Sequence, residues 1–99
     1  MYLNDIAKAI RDEVPEDAIP EGATLALFRL YAVLLLAKGV EVTGEDVHNA
    51  WVAWMASQDA DHDALVPFKA LDASTQAEDS PFVVAIRMVA GRLTERRPS

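Results

Sequence analysis

At 99 residues the chain has room for one domain and one core, since this is close to the commonest domain length. Hydrophobic residues make up 52% of it and aromatic ones only 7%, so the core is expected to be aliphatic with alanine as spacer. A net charge of −7 argues against a nucleic-acid partner, whose phosphates must be neutralised by Lys and Arg.

In chain order, Leu3, Ile6, Ile10 and Val14 recur at spacings of three and four, with Asp5, Lys8, Arg11 and Asp12 between them. This predicts an amphipathic first helix that ends before Pro15, because proline disfavours helical geometry in its neighbour. PEDAIPEG (15–22) has two prolines and a glycine and is predicted as a loop. Residues 23–38, ATLALFRLYAVLLLAK, are interrupted only by Thr24, Arg29, Tyr31 and Lys38, and Gly39 follows as a stop. A helix this apolar around its circumference is expected to be sheltered on nearly every side, by the rest of the chain or by the chain plus a second copy. Its apolar run is shorter than the roughly 20 residues of a bilayer span and contains Arg29, which predicts no membrane partner.

Residues 40–42 read as an extended connector. Thr43 is predicted to cap a third helix running to about Ser57, with Glu45 and Asp46 in its first turn. Val47, Ala50, Trp51 and Trp54 share one face of that helix, and Val52 and Met55 form a second apolar edge. Residues 58–67, QDADHDALVP, read as an acidic loop. Asp72 or Ser74 is placed to cap a short helical turn through Gln76 and Glu78. Ser80 followed by Pro81 is a start signal for a last helix to about Arg92, with Phe82, Ile86, Val89 and Leu93 facing inward. Arg87, Arg92, Arg96 and Arg97 collect towards the C-terminus, where they complement the helix dipole and lead into a frayed tail from Glu95. The fold expected is all-α, a compact bundle of four main helices plus a short helical turn around the central helix 23–38.

The candidate sites are few. Asp59, Asp61 and Asp63 copy the first ligands of a calcium loop, but the sixth and twelfth positions hold Ala64 and Ala70 where Gly and Glu are required. His48 and His62 lack the helical spacing of a zinc pair, so no metal is expected. Trp51 and Trp54 offer flat surfaces on which an aromatic ligand can stack; packing as core anchors is the competing role. Arg29 must find a carboxylate or reach water along its stem, or else receive an anionic ligand. There is no GxSxG elbow, phosphate-cradling glycine loop or cysteine, so neither catalysis nor a cofactor is expected. The absence of cysteine fits a reducing compartment, and nothing in residues 1–9 has a signal-peptide pattern. The expected location is the cytoplasm.

EDVHNAWVAW (45–54) and ALVPFKALDASTQAEDSPFVVAIRMV (64–89) together resemble the ryanodine-receptor repeat (RyR domain), also found in short bacterial and phage proteins. His48, Trp51, Leu65, Pro67, Phe68, Leu71 and Ile86 fill the matching places, and the likeness covers residues 43–93. The family's Gly-Trp-aromatic-Gly segment is missing here, and the loop is shorter. The resemblance implies a non-enzymatic recognition module, with a nucleotide-derived small molecule or a protein as ligand. His48, Trp51, Trp54, Phe68 and Arg29 are the candidate contacts. The alternative is an interaction protein that works as a homodimer, paired through the central helix.

Overall fold

The computed structural model describes residues 2–19 and 22–95. Of the tail expected from Glu95, residues 96–99 with Arg96 and Arg97 lie outside the described residues, as do Pro20 and Glu21 of the first loop, whereas Glu95 itself is helical. The first helix, α1 (Tyr2–Glu13), turns Ile6, Ala7 and Ile10 inward, and Val14 just beyond its end is also buried. After a single 3-10 turn at Glu16–Ala18 comes α2 (Leu25–Lys38), built mostly from Leu and Ala, which lose little freedom in a helix. It stops at Gly39, whose φ of 57° is open to glycine and strained for other residues, and whose N–H bonds to the Leu35 carbonyl. The connector that follows is not extended. Gly39 turns the chain into a 3-10 turn (Gly39–Glu41), which drops Val42 fully into the core.

Helix α3 (Gly44–Gln58) starts as expected at Thr43, which forms a reciprocal capping box with Asp46. Thr43 Oγ1 accepts from the Asp46 N–H at 3.3 Å, and Asp46 Oδ2 accepts from the Thr43 N–H at 3.0 Å. Lys38 Nζ, 2.9 Å from Asp46 Oδ1, ties the end of α2 to this start. Asp72 caps the short helix α4 (Ala73–Ala77), accepting from the Thr75 N–H at 2.8 Å. The last helix, α5 (Ser80–Glu95), runs past the expected end at Arg92. Its first backbone bonds, from Phe82 and Val83, go to the Asp79 carbonyl, one residue before the expected cap Ser80. Among the described residues there are no strands, so the chain is an all-helical bundle of four main helices and one short one.

The core lies where α1, α2 and α5 meet, with α3 packed against α2 and α5. At its centre Phe28, Tyr31 and Phe82 cluster, with ring centroids 5.3–6.4 Å apart and the first pair edge-to-face. Two polar links brace α5. Arg92 forms an ion pair with Glu13 at 2.6 Å, and Arg87 Nε donates to the Val42 carbonyl at 2.9 Å.

The expectation that α2 is sheltered on nearly every side fails for the chain by itself. Leu27, Phe28, Tyr31, Ala32 and Leu35 are buried, whereas Val33 is 52% and Leu36 48% exposed, and Leu25, Ala26 and Ala37 are also exposed. The other described helices pack against one side of α2, and none of them is laid over the other.

Candidate functional site

A cavity of about 530 Å³ opens where α2, α3 and α5 meet the connectors that join them. Helix α3 furnishes His48, Trp51 and Met55, which fall one turn apart on a single face. Tyr31 of α2 and Phe82 of α5 form the inner wall. Asp17, Ala18 and Ile19 come from the turn after α1, and Leu71, Thr75, Glu78 and Asp79 from the segment around α4. His62 and Ala64 close the side formed by the acidic loop.

Hydrogen bonds hold that loop in place. His48 is buried, and its Nε2 lies 2.6 Å from the Val66 carbonyl oxygen. A carbonyl can only accept, so Nε2 carries the proton and donates. His62 Nδ1 accepts from the Ala64 N–H at 3.1 Å. Further on, Gln76 Nε2 donates to the carbonyls of Phe68 at 2.9 Å and Leu71 at 3.1 Å, fixing the 3-10 turn Phe68–Ala70 that follows Pro67. The Trp51 ring lies between the two histidines. His48 stacks on it with centroids 5.8 Å apart and planes 23° from parallel, and His62 meets it edge-on at 5.2 Å.

The electrostatics centre on Asp79 and Tyr31. Burial raises the Asp79 carboxyl from its ordinary 3.8 to about 6; His48 opposes this rise and neighbouring Glu78 adds to it. Burial also pushes the Tyr31 phenol upward, with the Asp79 charge contributing. Tyr31 is 1% exposed, and its hydroxyl has no hydrogen-bond partner among the described residues.

The five residues singled out from the sequence divide. His48 and Trp51 both line the cavity. Phe68 stands behind His48, 6.0 Å between centroids, with its ring against Gly44, where a Cβ would come within 3.2 Å of it. Trp54 is a core residue, 6% exposed, and its Nε1 has no hydrogen-bond partner among the described residues. Arg29 lies apart, exposed in a separate groove of about 290 Å³ with Leu3, Ala26, Leu30 and Val33. It forms no ion pair among the described residues, so of the roles open to it the carboxylate partner is not found and its exposed side chain reaches water. Sequence reasoning missed Asp17, Tyr31, Glu78, Asp79 and Phe82 as site residues. Tyr31 left a visible trace as a polar break in the oily run, and Asp79 left one as the acid before Ser80–Pro81.

Among the described residues no three His, Asp or Glu side chains converge as metal ligands, and no helix is long and apolar enough to cross a membrane. A family model described as a domain of unknown function, DUF7701, matches residues 1–91. The match spans both the apolar central helix and most of the segment that resembles the ryanodine-receptor repeat. No curated protein and no solved structure matches the chain.

Proposed function

This chain belongs to the DUF7701 family, and we propose that it is a non-enzymatic recognition module that holds a small organic molecule in the cavity between Trp51 and Phe82. One observation carries this reading: the cavity has the volume of a typical small-molecule site and joins an aromatic wall to a few convergent polar groups, Asp79 and Tyr31 foremost. Two further points support it. His48 donates its Nε2 proton to Val66, which gives the imidazole a positioning task rather than a proton-transfer one. The segment resembling the ryanodine-receptor repeat supplies most of the wall, in keeping with a module of that kind.

The two tryptophans make the test direct. Trp51 borders the cavity and Trp54 is in the core. Emission from the chain is expected to shift on titration with at least one member of a panel of nucleosides, nucleotides, aromatic amines and aromatic acids. In Trp51→Phe the shift should disappear while Trp54 still emits. An unchanged spectrum across the panel removes the small-molecule reading.

A second reading rests on a different observation, the uncovered apolar face of α2 at Leu25, Val33 and Leu36. A two-fold pairing of this face would give a homodimer, and a contiguous apolar patch on a monomer is unusual when large. Light scattering at micromolar concentration is expected to give twice the chain mass, and Val33→Glu with Leu36→Glu to return it to the monomer value. A monomeric wild-type chain ends this reading and leaves the cavity unaffected.

A further inference from the structure

The charge on the cavity wall is one-sided. Asp17, Glu78 and Asp79 contribute three carboxylates, and no Lys or Arg is among the described lining residues. Lys38 pairs with Asp46 and Arg87 with the Val42 carbonyl, and Lys69, exposed on the turn Phe68–Ala70, is not among the lining residues. Arg29 stands in the separate groove beside α1. Of the histidines, His48 has its Nε2 proton committed to Val66, while His62, whose Nδ1 accepts from Ala64, keeps its Nε2–H as a donor on the wall; one neutral N–H does not offset three carboxylates. A phosphate or carboxylate entering here would meet like charge from three carboxylates, with no lysine or arginine among the described lining residues to pair with it.

Three further features favour a cation with an organic body. Tyr31 lines the cavity and its hydroxyl has no partner among the described residues, so its oxygen can accept a ligand N–H. The half-buried Asp79 carboxylate beside it gains most from a positive partner, because charge pairs strengthen as water is excluded. The rings of Trp51, Phe82 and Tyr31 can hold an apolar or flat body, and an aromatic face also attracts an ammonium group. A bare metal ion is not favoured, because among the described residues no three potential ligands come together.

Resting on the small-molecule reading of this cavity, we propose that its ligand is an organic ammonium ion, the charged nitrogen seated between Asp79 and the Tyr31 hydroxyl and the apolar body against Trp51 and Phe82. This reverses the charge sense of the nucleotide-derived ligand expected from the sequence.

Three probes with one phenyl body isolate the charge: 2-phenylethylamine, 2-phenylethanol and phenylacetate, titrated at pH 7.5 against the intact chain and read by Trp51 emission and calorimetry. The amine is expected to bind at least tenfold more tightly than phenylacetate, with the alcohol between them. In Asp79→Asn the amine should lose at least fivefold in affinity while the alcohol stays within twofold, which also shows that the variant keeps its cavity. Phenylacetate binding as tightly as the amine, or an amine unaffected by Asp79→Asn, overturns the charge assignment and leaves the cavity a ligand site. If no probe binds, and the broader panel is also silent, the cavity reading and the ammonium proposal fall together.

Discussion

Phe28→Ala is expected to destabilise the chain by about 3–5 kcal/mol, the range for removing a buried aromatic ring. Phe28 is fully buried on α2, edge-on to Tyr31 and tilted against Phe82. Its ring therefore fills the junction of α2 and α5 at the core centre. Refilling that space is difficult, because Tyr31 and Phe82 are anchored on their own helices and also form the inner wall of the cavity. A single domain of this size has about 5–15 kcal/mol of stability in total, so the variant should unfold at a much lower urea concentration. The control is Val33→Ala, on the same helix but half exposed, which should move the midpoint little. Equal losses for the two substitutions would mean that the outer face of α2 is covered in solution, as the homodimer requires.

The second large effect concerns pH. Asp79 is raised to about 6 chiefly by burial, with His48 pulling the other way and Glu78 reinforcing it. Its folded value exceeds its unfolded one, so between about pH 4 and 6 the native state binds more protons than the unfolded chain. The sign follows from that. This contribution to stability is fullest below about pH 4 and is lost as pH rises through 6. Each tenfold change in proton affinity is worth about 1.4 kcal/mol; with solvent screening of a half-exposed carboxyl, about 1–2 kcal/mol remains. Asp79→Asn is therefore expected to stabilise the chain by that amount at pH 7.5 and by almost nothing at pH 4. Urea midpoints of both proteins across this range provide the check. Asp72, lowered by its hydrogen bonds to Thr75 and Ser74, works in the opposite sense and at lower pH, so the two windows separate. A variant no more stable than the parent at pH 7.5 would show that Asp79 is well solvated.

Most of the helical plan could be read from residue spacing, because periodicity and capping act locally. The stripe of Ile6, Ile10 and Val14, the Thr43 cap and the inward row Phe82, Ile86 and Val89 all depend on neighbours within a few residues. Three things depend on tertiary geometry and were not legible. Gly39 could be seen as a stop, but the 3-10 turn that buries Val42 is set by what lies beneath it. The bare side of α2 reflects where the other described helices pack. Trp51 and Trp54 share a helix face in sequence, yet the tertiary packing leaves the first beside a cavity and the second in the core. Arg29 was the wrong polar break to follow into the site, and Tyr31, two positions later, was the right one.

The wall of the cavity is stitched together from distant parts of the chain, from Asp17 through Tyr31 and His48 to Phe82. Residues 43–93 transplanted alone into another protein would carry the indole and Asp79 but leave behind Asp17, Ile19 and Tyr31. Such a graft would keep half a cup. Any binding selectivity housed here is inherited by the assembled tertiary fold and cannot travel with its second half.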